Sequence, residues 1–114
     1  MSVTLYGLKN CDTCKKAIKS LEGQGQDVVF VDIRAEADLS VKVPEWLSAC
    51  DAKLLLNTRS TTWRGLSEDE KARAEDGGLV GLLQDHPALI KRPVIEADGN
   101  VYVGWNKEVE LSIV

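Results

Sequence analysis

No stretch of this chain is apolar for long enough to cross a membrane, which takes about 20 residues in a helix. A strand pattern begins within three residues of Met1, which leaves no room for a signal peptide. There is no excess of positive charge: 14 Lys and Arg stand against 18 Asp and Glu, a formal net charge of −4. That argues against a nucleic-acid binder, which usually carries a basic face. Histidine occurs once and cysteine three times. An odd cysteine count with only two close together is not a secreted disulfide framework. Nor is there a second paired motif to complete a zinc site, because beyond the close pair only Cys50 and His86 remain. Internal repeats and low-complexity linkers are missing too. What is left is one acidic domain of 114 residues, 44% hydrophobic and 28% charged, large enough to bury a working core. The expectation is a cytoplasmic monomer with no metal, no membrane and no nucleic-acid partner, whose close cysteines cycle between thiol and disulfide.

Those cysteines sit in the most informative stretch. Val3-Thr4-Leu5-Tyr6 reads as a strand, Gly7 permits a turn, and Cys11-Asp12-Thr13-Cys14 follows at once. Behind it Cys14, Ala17, Ile18 and Leu21 fall on one helical stripe. This spacing puts Cys11 at the mouth of a helix and Cys14 one turn further in, on the same face. A helix N-terminus favours an anion, and thiol pKa values in such motifs fall from about 8.5 to roughly 3.5–7.5. Lys9, Lys15 and Lys16 add positive charge nearby, and Asp12 opposes them. Cys11 is the expected attacking thiolate and Cys14 the partner that closes a disulfide.

The rest of the chain supplies a frame. A helix is expected from Asp12 to Gly23, then Val28-Val29-Phe30-Val31 as a buried parallel strand. From about residue 34 to 87 the texture is helical. Segments are expected from near Pro44 through Cys50, over Ala52 to Leu56, after a capping box at Ser67-Glu68-Asp69-Glu70, and from Leu79 to His86-Pro87, with Asp76-Gly77-Gly78 as a breaker. The Thr/Ser-rich stretch around Arg59 and Arg64 reads as a loop. The last sheet segment begins at Ile90, Asp98-Gly99 marks a hairpin into Val101-Tyr102-Val103, and Asn106 caps a final helix. Cys50 reads as a small buried hydrophobe, His86 as a helix cap or surface group, and Trp46 and Trp63 as packing residues. The sum is an α/β (α+β) fold with a mixed four-stranded sheet and an inserted helical subdomain.

Four stretches in this order, Leu5 to Lys16, Leu55 to Arg64, Pro87 to Val94 and Val103-Gly104-Trp105, resemble the arsenate reductase (ArsC) family of the thioredoxin-like fold. Within it the chain is most similar to the YffB-like group of small bacterial proteins, with the Spx regulators as near neighbours. The resemblance implies that Cys11 is the catalytic cysteine, that Arg92 helps to hold an anionic substrate and that Pro93 is the cis-proline beside the active sulfur. It further implies a glutathione-dependent thiol reductase acting on a disulfide or glutathionylated substrate. Glutathione is then the co-substrate, Cys14 or a second glutathione resolves the mixed disulfide, and glutaredoxin is a candidate partner. Lys9, Asn10, Thr13, Arg59, Arg92 and Pro93 are the candidate substrate and glutathione-binding residues. Arg92 and Pro93 follow from the resemblance, whereas Lys9 reads either as a thiolate-stabilising charge or as a solvated loop charge, and Arg59 either as a carboxylate-binding arginine or as a solvated surface charge. Two other activities belong to the same resemblance: reduction of arsenate with glutathione, and Spx-like redox sensing on RNA polymerase. The chain departs from arsenate reductases proper where it holds Gly104 and Asn57 at positions aligned with arginines, and it shares Cys14 with the Spx pattern.

Overall fold

The computed structural model describes residues 2–50, 52–74 and 78–113. In chain order the elements are β1 (Ser2–Gly7), α1 (Asp12–Gly23), β2 (Asp27–Asp32), α2 (Leu39–Ala49), α3 (Ala52–Leu55), α4 (Thr61–Arg64), α5 (Glu68–Ala72), α6 (Leu79–Asp85), a 3-10 turn (Pro87–Leu89), β3 (Val94–Ala97), β4 (Asn100–Val103) and α7 (Lys107–Ile113). They fall into two units, residues 1–37 with 92–114, and residues 38–91. The helices α2 to α6 and the 3-10 turn all lie in the second unit.

The first unit is a four-stranded sheet in the order β2-β1-β3-β4. β1 runs parallel to β2 and antiparallel to β3, so Leu5 lies between Phe30 and Ile95. Alternation along β1 then sorts the faces. Val3 and Leu5 join Ile95 and Ala97 in a core with Cys14, Ala17 and Leu21 of α1 and Ile113 of α7. The stripe read from α1 is thus the buried one. Ser20 Oγ donates to Glu110 at 2.9 Å, tying α1 to α7. On the opposite face of the sheet Tyr6 donates its hydroxyl to Glu96 at 3.1 Å. The hairpin turns at Asp98 and Gly99, with φ of 53° and 79°, the left-handed pair that a two-residue hairpin loop needs. Asn106 Oδ1 accepts from Val109 N at 2.8 Å and caps α7.

The second unit buries Val43, Trp46, Leu55, Leu79, Leu82, Leu83, Leu89 and Ile90. Here α2 packs on α6, and Leu56 forms an isolated antiparallel bridge with Ile90.

Several expectations change. β2 is an edge strand with alternating burial, and Val29 is 51% exposed, because no strand covers its outer side. The α2 helix begins at Leu39, capped by Asp38 on Ser40 N, and Pro44 lies inside it, exposed, where a helix loses one hydrogen bond to proline. The loop around Arg64 contains the short helix α4, capped by Ser60 on Trp63 N at 3.2 Å. Only half of the capping box forms: Ser67 Oγ accepts from Glu70 N, and the Glu70 carboxylate goes instead to His86 Nε2 at 2.8 Å. β3 starts at Val94, not Ile90. Cys50 is half-buried at the end of α2, its thiol donating to Trp46 O at 3.0 Å. Asp76 and Gly77, read as a breaker, lie outside the described residues.

Leu5 fills the centre of the first unit's core with no exposed surface. Leu5→Ala should lower unfolding stability by about 2–5 kcal/mol in urea titrations, whereas Val29→Thr on the exposed edge should change it by about 0.5 kcal/mol or less.

Candidate active site

β1 ends on Gly7, and the Leu8–Asn10 loop delivers Cys11 to the N-cap of α1 with φ −85° and ψ 116°. Cys11 N donates to Leu8 O at 3.1 Å, closing the loop, and Cys11 O accepts from Lys15 N at 3.0 Å, opening the helix. At an N-cap the usual side chain offers oxygen to the second and third helical N–H groups. Here those residues are Thr13 and Cys14, and the side chain offers sulfur. The sulfur closes no full capping hydrogen bond. A neutral thiol is a weak acceptor and a thiolate a strong one, so the site favours the anion.

The balance of forces on Cys11 bears this out. Partial burial pushes its pKa up, but the Cys14 N–H, the Cys14 thiol, the Arg92 charge and the Thr13 N–H together outweigh it. The net value lies below the ordinary 9.0. Cys14 goes the other way. It has no exposed surface, and its burial pushes the thiol up to about 11, with its hydrogen bond to Cys11 and the Cys11 charge adding to the rise. The Leu8 backbone and Arg92 pull it down by less. One thiol is shifted toward the anion and its neighbour is held as a thiol beside it.

Gly7 makes this pairing possible. A Cβ built there would overlap Cys14 Sγ and lie 3.5 Å from Leu5 Cδ2. Its φ is not left-handed, and it pairs with Asp32 as the last residue of β1. The sequence reading of Gly7 as a turn residue is therefore corrected: glycine is needed for room, not for backbone freedom. A glycine seven residues before the second cysteine of the motif was the available signal.

Arg92 is half-buried, precedes Pro93 through a cis peptide bond, and acts electrostatically on both sulfurs. Pro93 is buried, and its carbonyl accepts from Gly104 N at 2.8 Å. Gly104 has φ of 81°, a conformation that an arginine would adopt only under strain. Trp105 packs partly buried against the first unit's core. Lys9 and Asn10 are exposed on the loop before Cys11, and Thr13, Lys15 and Lys16 are exposed on α1. Lys9 and Asn10 also line a concavity with Asp32 and Arg34, two residues that sequence reasoning passed over. Arg59 stands on the second unit, exposed, with its backbone N–H on Asn57 Oδ1 at 3.1 Å, and Arg64 ends α4. Cys11, Cys14 and Arg92 are thus brought together within the first unit.

The rate of Cys11 alkylation by iodoacetamide should rise with pH to a midpoint below 9.0, and Arg92→Gln should move that midpoint upward. Stability gives the complementary sign. From pH 9.0 to about 11 the native state keeps the Cys14 proton that the unfolded chain loses, so Cys14 makes stability fall as pH rises through that window. Cys14→Ala should remove that part of the slope in urea titrations. Gly7→Ala should displace Cys14 Sγ and raise the Cys11 midpoint while leaving the strand pairing, seen by amide hydrogen exchange, in place.

Comparison with known proteins agrees with this geometry. The model of the ArsC family matches residues 6–113. An uncharacterised protein of Haemophilus influenzae is 37% identical over 111 residues, covering 93% of each chain. The global transcriptional regulator Spx of Staphylococcus epidermidis is 29% identical over 93% of this chain and 82% of its own. Among solved structures, a YffB protein superposes with a TM-score of 0.87 at 31% identity, covering 97% of both chains. The sheet and its helices are those of thioredoxin-like ArsC proteins. With the family pattern spanning residues 6–113, nearly the whole sequence, the chain belongs to the ArsC family.

Proposed function

We propose that this protein is a glutathione-dependent thiol reductase with Cys11 as its nucleophile. The observation that carries the reading is the split between the two thiols: a partly exposed Cys11 held toward the thiolate, above a buried Cys14 held as thiol. In the first step Cys11 thiolate attacks the glutathionyl sulfur of a mixed disulfide. The substrate S–S bond breaks, a Cys11–glutathione disulfide forms, and the substrate leaves as a thiolate that takes a proton from solvent. A second glutathione thiolate then attacks the glutathionyl sulfur. This releases oxidised glutathione and returns Cys11 as thiolate, so each turnover consumes one glutathione thiol and the other half of the oxidised glutathione is the glutathionyl group taken from the substrate.

The alternative route, attack by Cys14 on Cys11, is disfavoured by burial. In the free protein burial pushes the Cys14 thiol up to about 11, which holds it as the thiol at neutral pH. Its better role is to donate a hydrogen bond to the Cys11 thiolate, both before attack and as that thiolate is regenerated. Arg92 adds charge on the same sulfur. Arsenate is the less supported substrate, since the left-handed Gly104 stands where the family's oxyanion site has an arginine.

The Spx relative favours one further reading, a redox-sensing regulator on RNA polymerase in which the same pair is a switch. Turnover separates the two. With glutathione, glutathione reductase and NADPH, the wild type should reduce a glutathionylated peptide, Cys11→Ser should fall to the uncatalysed rate, and Cys14→Ser should keep most of its turnover. Absence of wild-type turnover, combined with capture of the polymerase alpha subunit by the oxidised protein alone, would establish the regulator instead.

A further inference from the structure

A shallow concavity of about 410 Å³ opens on the first unit beside the loop that carries Cys11. Leu8, Lys9 and Asn10 form one wall, and Asp32, Arg34 and Ala35 form the other. The steps above use neither Asp32 nor Arg34. Both are held by the frame that positions Cys11: Asp32 pairs in register with Gly7, and Ile33 N donates to Gly7 O at 2.9 Å.

Asp32 is a fixed charge. Its Oδ1 accepts from Arg34 N at 2.8 Å and from Ala35 N at 3.0 Å, a local turn that leaves Oδ2 for another partner. Those N–H groups hold its carboxyl below the usual range against the effect of burial, and the Arg34 and Lys9 charges add a smaller pull in the same direction. Among the described residues neither Lys9 nor Arg34 forms an ion pair. The concavity therefore presents two cations and one anion.

Glutathione carries the complement, two carboxylates and one ammonium. Its reach also fits. Lys9 is two residues from Cys11, so their Cα atoms are no more than about 7.6 Å apart, while an extended tripeptide spans about 10 Å. A simple inorganic anion would leave Asp32 repelling it, and an uncharged thiol would use none of the three groups.

We propose that this concavity recognises the charged ends of a zwitterionic thiol peptide of the γ-glutamyl class, with Lys9 and Arg34 taking its carboxylates and Asp32 its ammonium. The proposal rests on the reductase reading above and names how that site would tell glutathione from smaller thiols.

The test separates recognition from chemistry by using a glutathione analogue with a methyl group in place of the thiol, γ-glutamyl-α-aminobutyryl-glycine, and the same peptide without its amino group. Calorimetric titration of the wild type should give about tenfold tighter binding of the ammonium-bearing peptide. Asp32→Asn keeps the Oδ1 acceptor of the turn and should abolish that preference. Arg34→Gln should weaken both peptides by about tenfold. Equal affinity of the wild type for the two peptides, no binding of either, or equal weakening of both by Asp32→Asn overturns the proposal. Exchange of Cys11 with 2-hydroxyethyl disulfide under dithiothreitol, free of glutathione, reads the thiol chemistry alone. Intact exchange with failed peptide discrimination removes only the concavity, whereas absent exchange removes the reductase reading itself.

Discussion

Cys14 lies against Gly7, with its sulfur where any other residue at position 7 would place a Cβ. That close approach brings the first turn of α1 down onto the end of β1, and the arrangement of the site depends on it. With Cys14 seated there, its N–H and its thiol both act on Cys11, which stays at the helix mouth and partly open to solvent. The same carbonyl end of β1 receives the Ile33 N–H, so the turn after β2 is fixed to the point from which the active loop departs. A parallel β-α-β unit thus holds the nucleophile, its donor and the flanking charged turn in one rigid frame.

Two cysteines on one helical turn acquire opposite character from a difference in solvation. Burial raises both thiols, but only Cys11 has enough oriented N–H groups and positive charge to reverse the effect. The Cys11 thiolate in turn raises Cys14, so the pair shares one proton unequally. This polarity assigns the roles. In the proposed reaction the partly exposed Cys11 attacks, and the buried Cys14 donates a hydrogen bond to it. Gly104 has a left-handed backbone, with φ of 81°, which an arginine would adopt only under strain.

Much of this was legible in the sequence wherever local chemistry decides structure. The α1 stripe, the Asp98-Gly99 hairpin and the Asn106 cap appear as read, since each depends on a few neighbouring residues, and the bond before Pro93 is cis as the family resemblance implies. What was not legible depends on partners far along the chain. Val28 to Val31 looks like a buried parallel strand; it does pair parallel to β1, yet sheet order puts it on the edge, where it is only partly buried. Glu70 looks like half of a capping box, yet its carboxylate is drawn off by His86 sixteen residues later. Pro44 looks like a helix start, yet Asp38 caps six residues earlier and the helix runs through the proline. At the site itself the motif announced Cys11 and Cys14 but not the space that Gly7 provides. Asp32 and Arg34 carried no motif at all and came to the Leu8–Asn10 loop only through strand pairing.

The central claim is that folding separates the two thiols into an anion and a donor. The most direct measurement is a pH titration of the reduced wild type labelled with carbon-13 at the cysteine Cβ positions, which follows each sulfur without trapping it. The account predicts that the Cys11 signal titrates below 9.0 while the Cys14 signal stays that of a thiol until about pH 11. Two signals that move together near 9, or a Cys14 signal that moves first, would contradict it.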